Sequence, residues 1–70
     1  MIDLKQAMSV GDRLGVNWNK VDKHEFKMGM NEELEHRDVT HGNLLKTGKI
    51  TLSHLHERKD YYTRLKKAMR

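Results

Sequence analysis

The stretch DKHEFKMGMNEELEH, residues 22–36, decides how the fold is read. Phe26, Met30 and Leu34 recur at a spacing of four, which stacks side chains on one face of an α-helix. Asp22 followed by Glu25 reads as a capping box, so the helix opens at Asp22 and is expected to run to about His36. On a wheel turning about 100° per residue, Glu33 falls between Phe26 and Leu34 on the apolar face. A carboxylate there needs a cation, a metal or several hydrogen bonds, because leaving it ionised and bare in apolar surroundings costs more than neutralising it.

Upstream, Asp3 and Gln6 form another capping-box pattern, and Gly15 suits a left-handed stop, so a first helix is expected from about Leu4 to Leu14. Its stripe is Leu4, Ala7, Val10 and Leu14. Residues 15–18 connect it to the next helix, with Trp18 expected to plug the core. Downstream, RDVTHGN has loop chemistry. A third helix is expected over roughly Leu44 to Glu57, with Leu44, Leu45, Gly48, Leu52 and Leu55 in one stripe. Ile50 lies off that stripe, which implies a central helix with neighbours on two faces. ITLSHL alternates well enough for a short strand, but the helical pattern continuing from upstream favours helix. Asp60 is placed to cap a last helix, with Tyr61, Tyr62, Leu65, Ala68 and Met69 inward and Thr63, Arg64, Lys66, Lys67 and Arg70 outward. The fold class is therefore all-α, a single small domain over residues 1–70 with about four short helices.

Composition agrees with that reading: 36% of the residues are hydrophobic and 34% charged, too apolar for a disordered tail and too polar for a membrane span. With no basic leader at the start, the chain is expected in the cytoplasm of the producing or host cell, with no membrane partner. The lack of Cys excludes disulfides, thiolate metal sites and a cysteine nucleophile. Residues 1–56 carry eight Lys/Arg against eight Asp/Glu, and residues 57–70 carry six against two, so the net +4 belongs to the last segment.

Two places could carry function. His36 lies beside Glu33 on the same flank, and His54, at the edge of the third stripe, is positioned to approach across the interface. Gly29 and Gly48, on or near the facing stripes, would let the two backbones come close and gather Glu33, His36 and His54. The expected reading is a structural pair, of carboxylate with imidazole or with Lys/Arg, that sets helix register. Two others stay open. Glu33 and His36 have the Glu-x-x-His spacing of carboxylate-bridged di-iron bundles, although such bundles draw more carboxylates from four helices. General acid–base catalysis would need a substrate pocket for which 70 residues leave little room. No cofactor and no small-molecule substrate are expected. The second place is the basic run ending the chain, where Arg58, Lys59, Arg64, Lys66 and Lys67 interleave with two tyrosines. That pattern fits phosphate contacts with base stacking, but both rings fall on the Leu65 side and are expected to anchor the core.

FKMGMNEELEH (Phe26 to His36), TGKITLSHLHERKDYYTRL (Thr47 to Leu65) and WNKV (Trp18 to Val21) together resemble a family of short bacterial and tailed-phage proteins catalogued as a domain of unknown function. The resemblance spans roughly residues 10–66 and rests on an ELEH element, a KIxLxHL helix and a DYYxRL close, in that order. It marks Glu33, Glu35, His36, His54, Asp60, Tyr61 and Tyr62 as family positions without assigning them roles. Arg37 stands where Gly is expected and Lys59 where Pro is expected, at the ends of the second helix and the start of the fourth. The resemblance adds a phage setting, in the cytoplasm or a virion, to the expectation of a non-enzymatic interaction or assembly module with a protein partner or a second copy. Nucleic-acid binding through the basic run is the alternative, and a small His/Glu metal-binding protein the third.

Overall fold

Each helix begins where a side chain accepts the amides that the first turn leaves free, although that acceptor is not always a sequence neighbour. The structure, a computed structural model, describes residues 1–35 and 43–68. It contains α1 (Leu4–Arg13), α2 (Lys23–Leu34), α3 (Leu44–Glu57) and α4 (Tyr61–Ala68), with no strand among the described residues. The fold is all-α, as expected. What the sequence implied for His36, Arg37, the loop to Gly42, Met69 and Arg70 lies outside the described residues.

The Asp3 carboxylate accepts the Gln6 amide at 2.8 Å while the Gln6 side chain accepts the Asp3 amide at 3.0 Å, which closes the expected capping box. At the other end of α1, Gly15 sits at φ +76°. Its amide donates to the Asp12 carbonyl at 3.1 Å, and Val16 donates back to Gly11 at 2.9 Å, the paired bonds of a Schellman closure. Trp18 then lies half-buried across α1. Its Nε1 donates to Asp12 at 2.8 Å, its ring covers Gly11, and its edge meets Phe26 with centroids 5.5 Å apart. It seals a seam of the core instead of plugging the centre, which belongs to Phe26, Met30 and Tyr62, all fully buried.

Asp22 caps α2 by accepting the His24 and Glu25 amides, and those bonds, Glu25's first, hold its carboxyl below the usual 3.8. Glu25 does not reach back, so the second capping box is corrected to a single-sided cap. Its side chain is engaged on α4 instead.

The α3 boundaries match the expected ones, with Asn43 accepting the Lys46 amide at 3.0 Å. Its buried face is Thr47, Gly48, Thr51 and Leu55, however, and Leu44 is exposed. Hydropathy misplaced the stripe because both threonines hide their polarity within the helix. Thr47 Oγ1 donates to the Asn43 carbonyl at 2.7 Å, and Thr51 Oγ1 donates to the Thr47 carbonyl at 2.8 Å. With the hydroxyl spent on the preceding turn, each side chain offers the core a methyl group. Gly48 is also corrected: a methyl there would stand 2.7 Å from Leu14 and 2.8 Å from Val10, so it admits α1. The helix touches α1, α2 and α4, which bears out its central place.

Asn31 was not anticipated. It brackets Ile2, accepting its amide at 2.8 Å and donating to its carbonyl at 3.1 Å, and so folds the segment before α1 onto α2 with Ile2 buried. Among the described residues no helix is long and apolar enough to cross a membrane.

Candidate functional site

Glu25, Gly29 and Glu33 stand at successive turns of α2, so they form a single line along its surface. Tyr62 of α4 lies along that line. A methyl on Gly29 would overlap the Tyr62 ring and the Thr51 side chain, so the glycine is the slot through which a fully buried tyrosine passes between two helices. At the far end the Tyr62 hydroxyl donates to Glu33 Oε2 at 2.8 Å. At the near end Glu25, itself buried, accepts the Thr63 amide at 2.8 Å and the Thr63 hydroxyl as well.

These contacts change the expected start of α4. The Asp60 carboxylate, placed by the sequence as its cap, turns to Arg58 Nε at 3.0 Å. The third amide of the helix, which an N-cap side chain ordinarily takes, goes to Glu25 from 38 positions upstream. Thr63 accordingly faces α2 and not the basic outer side.

Of the predicted polar cluster, the structure brings Glu33 and His54 together, while His36 lies outside the described residues. His54 Nε2 stands 3.8 Å from Glu33 Oε2, beyond hydrogen-bond length, so the two are electrostatic neighbours. The imidazole stacks on Tyr61 with centroids 4.4 Å apart and planes 12° from parallel, and meets Tyr62 edge-on at 6.1 Å. Its Nδ1 is buried without a partner among the described residues. Burial, followed by the bond to Glu33, pushes the Tyr62 hydroxyl well above its ordinary 10.0, so at neutral pH it is a fixed donor. Among the described residues no three His, Asp or Glu side chains gather as a metal-ligand set.

The basic run does not assemble on one face. Arg58 and Arg64 both converge on Asp60, at 3.0 and 3.9 Å. Lys66 lines a cleft with Met28 and Glu32, whereas Lys59 lines a different groove, and Lys67 is exposed. The two tyrosines are internal anchors, as expected, with Tyr62 buried and Tyr61 half-covered by His54.

Sequence reasoning missed the Lys59 groove. It is an open depression of about 380 Å³ between the connector after α1 and the C-terminal half of α3. Leu14, Val16, Val21 and Leu52, all half-buried, form its walls over the buried Leu55, and Lys20 and Lys59 stand at its rim. The available signal was GVNWNKV, whose two valines lie in a segment that no helix absorbs.

No curated protein and no solved structure matches the chain. A family model does match it over residues 7–69, nearly the whole length on which the α2 line, Tyr62 and the groove are built, and the chain belongs to that family, described as "Protein of unknown function (DUF5661)".

Proposed function

We propose that this domain is a non-enzymatic protein-interaction or assembly module, of the kind a phage uses as a virion component or as a binder of host machinery. The observation that carries the reading is how the side chains are allotted. Two carboxylates on the core side of α2 are spent as braces to α4, Glu25 on Thr63 and Glu33 on Tyr62. Leu14, Val16, Val21 and Leu52, which the fold leaves half-buried, line a groove with a cationic rim. Inward polar groups and an outward apolar depression favour recognition of another surface over transformation of a small molecule.

Native mass spectrometry of the protein isolated from its producing cells, without chelator and at low salt, tests the proposal. A stoichiometric protein complex or a defined homo-oligomer supports it. A stoichiometric metal mass, or a nucleic acid retained at low salt and lost at high salt, replaces it.

A further inference from the structure

We infer that the groove beside Lys20 and Lys59 receives an acidic amphipathic segment of a partner protein, apolar side chains on its floor and carboxylates at its rim. This rests on the interaction-module reading and names the chemistry of the partner.

Three observations support that occupant. At about 380 Å³ the groove is large enough for a few side chains, and its lining combines Leu14, the C-cap of α1, and Val16 and Val21 of the segment between α1 and α2 with Leu52 of α3. An aliphatic anchor placed there leaves water on both sides. Lys20 and Lys59 both line this groove, and neither takes part in an ion pair among the described residues. Arg58 and Arg64, by contrast, are already held by Asp60. Two unmatched ammonium groups repel a basic segment and attract an acidic one, so charge selects the partner while the floor holds it.

The third observation is that the connector is fixed before anything binds. The Schellman closure at Gly15, the Asn17 carbonyl accepting Lys20 and Val21, and the Trp18 bond to Asp12 pin it at successive points. A preformed wall spares a ligand the cost of ordering it. The adjoining depression includes Asp22, but that carboxylate is engaged by the first amides of α2. A second cleft, beside Met28, mixes Lys27 and Lys66 with Glu32 and Glu35, and the wide-open depression of about 600 Å³ beside Leu4 and Met8 on α1 sets Lys5 against Asp12, so both balance their own charge.

The test uses a fluorescent synthetic helix with leucines at i, i+4 and i+7 among glutamates, a matched peptide with lysines in place of the glutamates, and the intact chain. Anisotropy should show the glutamate peptide binding with a dissociation constant on the order of 100 µM or tighter, more weakly as salt rises. Amide shifts should move at Val16, Val21 and Leu52. A Lys20→Glu/Lys59→Glu variant alters exposed side chains only, so circular dichroism should be unchanged while affinity for the glutamate peptide falls about tenfold or more and the lysine peptide gains. Equal binding of the two peptides, no binding, or shifts confined elsewhere overturns the inference. Self-association abolished by the double variant overturns it in favour of a second copy, and an oligonucleotide competing for the groove overturns it in favour of nucleic acid. A native protein complex that survives the double variant removes this groove but leaves the interaction module standing. The absence of any complex removes both.

Discussion

Glu25 and Glu33 stand two turns apart on the same line of α2, and both reach α4, yet their surroundings are unlike. Glu25 is buried and faces two donors at the start of a helix, the Thr63 amide and hydroxyl. Glu33 is half-buried, holds one phenol, and has an imidazole at 3.8 Å that does not reach it. A carboxylate at a helix N-terminus gains from the free amides and from the helix dipole together, so burial there is compensated. At the other end, among the described residues, Glu33 accepts from Tyr62 alone and His54 Nδ1 is buried without a partner. The first end fixes where α4 begins, and the second only aligns its ring.

The largest way to break this comparison removes both ends at once. Gly29→Ala puts a methyl into the Tyr62 ring and the Thr51 side chain, neither of which has free space to yield into. Overpacking of this kind costs on the order of 3 kcal/mol, less the small helix-propensity gain of alanine. The urea midpoint should fall by a large fraction of its value at unchanged slope, since a domain this size has only about 0.05–0.15 kcal/mol of stability per residue.

Glu25→Ala breaks one end. It leaves an amide in the first turn of α4 and the Thr63 hydroxyl without acceptors, for an expected loss of about 2 kcal/mol. Hydrogen exchange sharpens the point: the Thr63 amide should exchange much faster in this variant, while the core amides of α3 change only with global stability. If Asp60 left Arg58 and took the amide instead, the loss would be small and Thr63 would stay protected.

Tyr62→Phe tests the other end, with an expected cost of about 1 kcal/mol for the lost bond to Glu33. Its pH dependence separates it from a packing defect. Because the folded-state pKa of Tyr62 is raised above 10.0, the folded protein keeps a proton that the unfolded chain releases. That contribution is fully present below pH 10.0 and is lost as pH rises above it toward the folded-state value. The stability of wild type should therefore fall more steeply than that of Tyr62→Phe on the alkaline side, and the two curves should converge.

The contrast between the two ends also shows what a sequence discloses. Helix starts and stops written in adjacent residues were legible, as with Asp3 and Gln6, Asp22, and Gly15. So were the α3 boundaries and the proximity of Glu33 to His54. The α4 cap was not, because its acceptor is 38 residues away and Asp60 supplies a plausible local substitute. Thr47 and Thr51 were absent from the expected stripe because bonding to their own helix is invisible to hydropathy, although two threonines spaced by four around a glycine hint at it. Asn31 bracketing Ile2 left no local trace. The misses have two physical causes: a partner across the fold leaves no local trace, and a hydroxyl spent on its own helix still counts as polar by hydropathy.

The smallest expected effect concerns His54, and it decides whether the Glu33 end contains one interaction or two. His54→Phe keeps a flat ring against Tyr61 while removing both nitrogens, one buried without a partner and one at 3.8 Å from a carboxylate. Relieving the unmatched nitrogen offsets the loss of a contact too long to be a hydrogen bond, so stability at neutral pH should shift by about 0.5 kcal/mol or less. A double-mutant cycle with Glu33→Gln isolates the pair. The coupling of Glu33 to His54 should be close to zero, against about 1 kcal/mol for the coupling of Glu33 to Tyr62 measured the same way. A coupling to His54 as large as that to Tyr62 would mean the imidazole closes onto the carboxylate in solution. The Glu33 end would then be as fully matched as the Glu25 end, and the difference between them would be one of burial alone.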